Sequence, residues 1–81
     1  MGYKPIPTKK FIKWLKKRGI VYIRTESSHD LYDYPEDSGK QLPRKVTIRT
    51  KDKDIPPCHI YTNLITIDID YKTFEKEIKK I

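Results

Sequence analysis

Between residues 9 and 18 the apolar positions recur with helical spacing. Phe11, Ile12, Trp14 and Leu15 fall on one face of the wheel, and Lys9, Lys10, Lys13, Lys16 and Lys17 on the other. The pattern predicts an amphipathic helix with Thr8 as its N-cap and Gly19 as the left-handed residue that ends it. Residues 20–25, 29–34 and 44–49 are instead rich in β-branched and aromatic side chains and are separated by turn formers, which predicts three strands in antiparallel hairpins. In the third, Val46 and Ile48 alternate with Lys45, Thr47 and Arg49, so one sheet face is expected to pack on helices and the other to lie open and basic. Ser38 and Gly39, between Pro35 and Pro43, mark the second connection as an exposed loop that adds nothing to the core. Helical spacing then returns. Asp54 is a candidate cap for a helix opening with Pro56-Pro57 and carrying Ile60, Leu64 and Ile67, and Asp70 for a last helix carrying Phe74, Ile78 and Ile81.

The expected class is α+β, in the order αβββα(α), with a three-stranded antiparallel sheet covered by helices on one face. At 81 residues the chain has room for one small domain, residues 1–81, with residues 1–7 as an N-terminal extension. One cysteine, Cys58, forms no internal disulfide, and with only His29 and His59 beside it no structural zinc pattern is present. The chain lacks the roughly 20-residue apolar run of a membrane span and the apolar core of a signal peptide. A soluble, cytoplasmic protein without metal or small-molecule cofactor is therefore expected, with no membrane partner.

Charge narrows the class of partner. The formal net charge is +7, and eight cations, from Lys4 to Arg24, precede the first acid, Glu26. Such a block attracts a polyphosphate and gains from released counterions, so nucleic acid is the first partner to consider. A solvated helix face accounts for the same lysines equally well. Lys9 and Lys10, however, sit at the positive end of the helix dipole, where acids are favoured, which hints at a use outside folding.

The chemistry concentrates in Ser27-Ser28-His29-Asp30, between the first two strands. Alone, His29 reads as a strand residue bonded to backbone. Taken with its surroundings, the chain resembles the HicA family of toxin ribonucleases, which use a double-stranded RNA-binding-like fold. The resemblance runs from Lys10 to about Lys79: a helix ending in Gly19, a first strand, then Ser27-Ser28-His29 where the family has Gly-Ser-His. Leu64 and the run Ile69-Asp70-Tyr71-Lys72-Thr73-Phe74 match its closing pattern. Two departures stand out: Ser27 occupies the usual glycine position, where a positive φ is needed, and Arg49-Thr50-Lys51 fills a region that often carries a second histidine.

The resemblance implies an endoribonuclease that cuts mRNA without metal, the toxin of a type II toxin–antitoxin pair, covered at its histidine by a HicB-type antitoxin protein. RNA carries its own nucleophile, the 2′-hydroxyl, and imidazole titrates near neutral pH, so His29 is the candidate general acid or base. Ser28 is the candidate to orient it or bind phosphate, and Lys45, Arg49 or Arg24 to stabilise charge. With the lysines of the first helix, these cations form the candidate RNA-binding set. Pleating puts His29 on the side of Leu31, expected to face the helices unless a bulge or the strand start intervenes. Asp30 reads as a surface residue. Tyr32 and Tyr34 share a strand face and either stack on bases, cover the sheet or contact a partner protein. Cys58 and His59 diverge by about 100° on a helix, so they read as packing residues and not as a nucleophile pair. The alternatives are a non-catalytic double-stranded RNA-binding module and a protein-interaction domain.

Overall fold

A computed structural model describes residues 5–49 and 51–81. The order is β1 (Ile6–Pro7), α1 (Thr8–Lys17), β2 (Val21–Glu26), β3 (His29–Asp33), β4 (Val46–Arg49), β5 (Asp54–Ile55), α2 (Pro57–Ile67) and α3 (Tyr71–Ile78). It is an α+β fold whose main sheet is antiparallel in the order β2-β3-β4. The pair β1–β5 adds a short antiparallel ribbon, Ile6 opposite Ile55 and Pro7 opposite Asp54.

That ribbon changes two expected caps. Thr8 lies inside α1 behind an N-cap Pro7, with its amide donating to the Lys53 carbonyl at 2.8 Å and its hydroxyl to that of Asp52 at 2.9 Å. Asp54 is held in β5, so α2 starts only after Pro56, with Pro57 in the first turn where its missing N–H costs nothing. At α1 a tertiary partner takes the first amide, whereas at α2 the amides of His59 and Ile60 bond locally to the Pro56 carbonyl. The segment read as an N-terminal extension therefore contributes Ile6 and Pro7 to a strand pair.

The end of α1 follows the expectation. Gly19 has φ 84°, its amide donates to the Lys16 carbonyl, and that of Ile20 to Leu15, the paired bonds of a Schellman motif. The fully buried Ile20 then turns the chain into β2. At the other end, Asp70 takes the expected N-cap position of α3, and a hydrogen bond with Thr73 holds its carboxyl below the usual carboxylate range.

Phe11, Trp14 and Leu15 of α1, Ile60, Leu64 and Ile67 of α2, and Phe74 and Ile78 of α3 share one core with Tyr32, Val46 and Ile48 of the sheet. Trp14 meets Phe74 edge-on at 4.7 Å between ring centroids. A buried indole N–H needs an acceptor, and Trp14 Nε1 donates to Glu77 Oε1 at 2.8 Å. Arg18 grips both oxygens of the same carboxylate, Nε to Oε1 at 3.0 Å and Nη2 to Oε2 at 2.7 Å. The connection from β3 to β4 is not the coreless loop its composition predicts, for Leu42 is only 7 % exposed. Asp33 Oδ1 accepts the amides of Tyr34 and Leu42, at 2.7 and 3.0 Å, which draws the loop onto the body. Among the described residues no helix is long and apolar enough to cross a membrane.

The hydrogen bond from the Trp14 indole outweighs the opposing pull of burial and, with Arg18 adding to it, keeps the Glu77 carboxyl below its ordinary range. A carboxyl depressed on folding stabilises the native state above its unfolded pKa and loses that contribution as pH falls through the folded value. Glu77→Ala is expected to cost about 1 kcal/mol at neutral pH, mostly through the orphaned indole, because the partly exposed ion pair adds little. Urea unfolding of both proteins from pH 7 to pH 3 should show the difference narrowing with acid.

Candidate functional site

The register decides which side chains share a face. Tyr22, Tyr32 and Val46 stand in line, as do Asp30 and Ile48, with Tyr32, Val46 and Ile48 buried beneath the helices. Leu31 pairs with Thr47 and His29 with Arg49 on the opposite, open face. His29 and Leu31 thus do share a side, as pleating predicts, but it is not the helix side, because Tyr32 is the β3 residue that enters the core. A register shift between Tyr22 and Arg24 turns Arg24 onto the open face as well.

His29 opens β3 directly after a two-residue turn, Ser27-Ser28, that closes the Glu26–His29 pair. Ser27 has φ 56°. Positive φ at the first central position of such a turn is a glycine conformation, so Ser27 meets this local demand at a cost in backbone strain.

At the free side of β4 the open face meets α2 and forms a cleft of about 220 Å³. The sheet side supplies His29, Arg44, Lys45, Thr47 and Arg49. The helix supplies His59, Thr62, Asn63 and Thr66, which recur at helical spacing and therefore line one face. Asn63, 6 % exposed, donates from Nδ2 to the Thr47 carbonyl at 3.3 Å, tying that face to the edge of β4 and setting His59, one turn earlier, beside the sheet. The Thr62 and Thr66 hydroxyls donate to the carbonyls one turn back.

Among the described residues no carboxylate lines this cleft. Lys45 lies 3.9 Å from the buried Asp33 carboxylate and is partly balanced by it, whereas among the described residues neither Arg44 nor Arg49 is in an ion pair. Two guanidinium groups and two imidazoles around one hollow suit an anion such as a phosphodiester, whose cleavage moves a proton off the attacking hydroxyl and onto the leaving oxygen. Among the described residues no three His, Cys, Asp or Glu side chains gather as a metal site.

Of the residues singled out from the sequence, the cleft gathers His29, Lys45 and Arg49. Ser28 is exposed in the turn and is not part of the lining. Arg24 is bound to Glu26 at 2.6 Å and borders a separate hollow with Asp33 and Lys40. Lys9, Lys13, Lys16 and Lys17 are exposed and Lys10 half-buried on α1, away from the cleft lining. Tyr32 covers the sheet and offers no ring to a base. Burial and then the nearby Asp30 charge push its hydroxyl pKa up. Tyr34 packs partly buried against the core, with the Lys40 ammonium 5.6 Å from its ring. Asp30 is half-buried and accepts from the Thr25 hydroxyl at 2.6 Å.

Cys58 and His59 are both exposed, contrary to their reading as packing residues. Ile60, Leu64 and Ile67 bury the adjacent stripe and leave His59 at its edge. His59 and Arg44 are the site residues that sequence reasoning missed. The spacing His59, Thr62, Asn63, Thr66, a polar stripe beside an apolar one, was the available signal for His59. No family model, curated protein or solved structure matches this chain.

Ser27→Gly is expected to stabilise the protein by about 0.5 kcal/mol, the relief of a left-handed residue, about 1 kcal/mol, less the extra unfolded-chain entropy of glycine. Equilibrium urea unfolding measures it. A destabilised variant would show that Ser27 makes side-chain contacts worth more than its backbone strain.

Proposed function

We propose that this protein is a HicA-type toxin, a cytoplasmic endoribonuclease that cuts mRNA by transphosphorylation without a metal ion, with His29 as general acid or base. The observation that carries the reading is the placement of His29 on the open sheet face, opposite Arg49, in a cationic cleft with no carboxylate among its described lining residues. In this reaction the 2′-oxygen attacks phosphorus, its proton passes to a base, the P–O5′ bond breaks and the leaving oxygen takes up a proton. The products are a 2′,3′-cyclic phosphate and a 5′-hydroxyl. Arg44 and Arg49 hold the phosphate and offset the charge of the phosphorane, a role for which the guanidinium fork is suited.

The order αβββα(α), with a lysine-faced first helix, supports a double-stranded RNA-binding-like arrangement for this domain. The α1 lysines then act as a second, non-catalytic surface that steers the RNA backbone. Regulation follows from the same charges: a HicB-type antitoxin with an acidic surface competes with RNA for the cleft. The α1 lysines also favour a second reading, a binding module that contacts A-form backbone and cuts nothing.

Labelled mRNA incubated with purified protein in excess EDTA separates the two. Wild type is expected to cleave it, and His29→Ala to lose at least about 100-fold in rate while RNA affinity changes little. A folded wild type that binds but never cuts establishes the module, and equal cutting by both proteins removes His29 from the chemistry. Replacing Lys13 and Lys16 by Gln is expected to weaken binding across sequences, making the slope of log affinity against log salt shallower by about one for each phosphate no longer neutralised.

A further inference from the structure

We propose that His59 is the second proton-transfer group of the cleft, complementary to His29; this rests on the ribonuclease reading above. Transphosphorylation needs one proton removed from the 2′-oxygen and another delivered to the 5′-oxygen. In an in-line displacement the two oxygens stand on opposite sides of the phosphorus, so one imidazole does not face both at once. The cleft meets that demand with histidines on different walls, His29 from the start of β3 and His59 from the first turn of α2.

The rest of the lining narrows the choice. Arg44 and Arg49 offer N–H donors and no acceptor, so they serve as cations only. Lys45 is drawn toward Asp33, and the hydroxyls of Thr62 and Thr66 are engaged with backbone carbonyls. With no carboxylate in the lining among the described residues, the two imidazoles are its side chains built both to accept and to donate a proton. Asn63 makes the arrangement dependable, since its bond to the Thr47 carbonyl locks the α2 face that carries His59 against the strand that carries Arg49. His59 is exposed, so its replacement is not expected to disturb folding.

In the balanced step, one histidine enters neutral and takes the 2′-hydroxyl proton, the other enters protonated and gives its proton to the departing 5′-oxygen, and solvent exchange resets both. The rate is then bell-shaped in pH, with one limb from each imidazole.

The test compares wild type, His29→Ala and His59→Ala on ordinary RNA and on RNA whose 5′-bridging oxygen at the cut is sulfur, a leaving group that needs no proton. On ordinary RNA His59→Ala is expected to lose roughly 100-fold or more and to lack one limb of the pH profile. On the sulfur substrate, whichever variant lacks the acid regains a rate near wild type and the other stays slow. If His59→Ala cuts ordinary RNA as fast as wild type with both limbs intact, while His29→Ala is inactive, the role of His59 is overturned and the ribonuclease reading stands. Should neither variant recover on the sulfur substrate, the complementary pair is likewise overturned. If folded wild type cuts neither substrate, the ribonuclease reading fails and takes this proposal with it.

Discussion

The indole of Trp14 sets the terms for the helical layer. It is almost completely enclosed against Phe11 and Phe74, and its one polar atom tolerates that burial only because Glu77 accepts from it. Glu77 is in turn tolerable at the edge of an apolar seam because Arg18 grips both of its oxygens. Helix α3 is thereby held against α1, and α2 packs between α3 and the outer strand β4. With all three helices contributing to one core on the Tyr32, Val46 and Ile48 side, the other side of the sheet stays open, and the cleft exists because α2 reaches the edge of β4.

Acids in this chain are placed so as to leave particular cations unneutralised. Glu77 takes Arg18, Glu26 takes Arg24 and Asp33 draws Lys45. Among the cations left outside these pairs are two groups, the lysine face of α1 and the Arg44–Arg49 wall of the cleft. Exposed lysines act mainly through long-range, salt-sensitive attraction, whereas guanidinium groups in a concave site bind a phosphate by geometry as well as charge. A division into steering and gripping follows from that difference in chemistry.

Asp33 and Ser27 show how the ends of β3 are governed by single residues. The buried Asp33 carboxylate replaces missing backbone partners and folds the long connection back, which brings Lys45 and the start of β4 to the cleft. At the other end, the left-handed Ser27 lets the turn close in two residues, so that His29 begins its strand in register with Arg49. A looser turn would free the register, and with period-two alternation a slip of one residue would send His29 to the core side.

By itself the sequence determined what depends on neighbours along the chain. The lysine-faced helix over residues 9–18, its stop at Gly19, the alternation from Val46 to Arg49, the Asp70 cap position and the apolar stripes of the last two helices are all local periodicities or local φ demands; they appear within a residue of where the pattern puts them, except that the last helix ends at Ile78 and leaves Ile81 beyond it. Tertiary structure decided the rest, because distant partners compete for the same groups. Thr8 and Asp54 do not cap because a ribbon between segments far apart in sequence claims their backbone, and Leu42 is buried because Asp33 pulls its amide inward. The candidate site divides along the same line. His29, Lys45 and Arg49 lie on strands whose alternation is readable, whereas Arg44 and His59 join them only through the packing of α2 on β4. No local pattern encodes that contact, since it depends on which helix face the shared core leaves free.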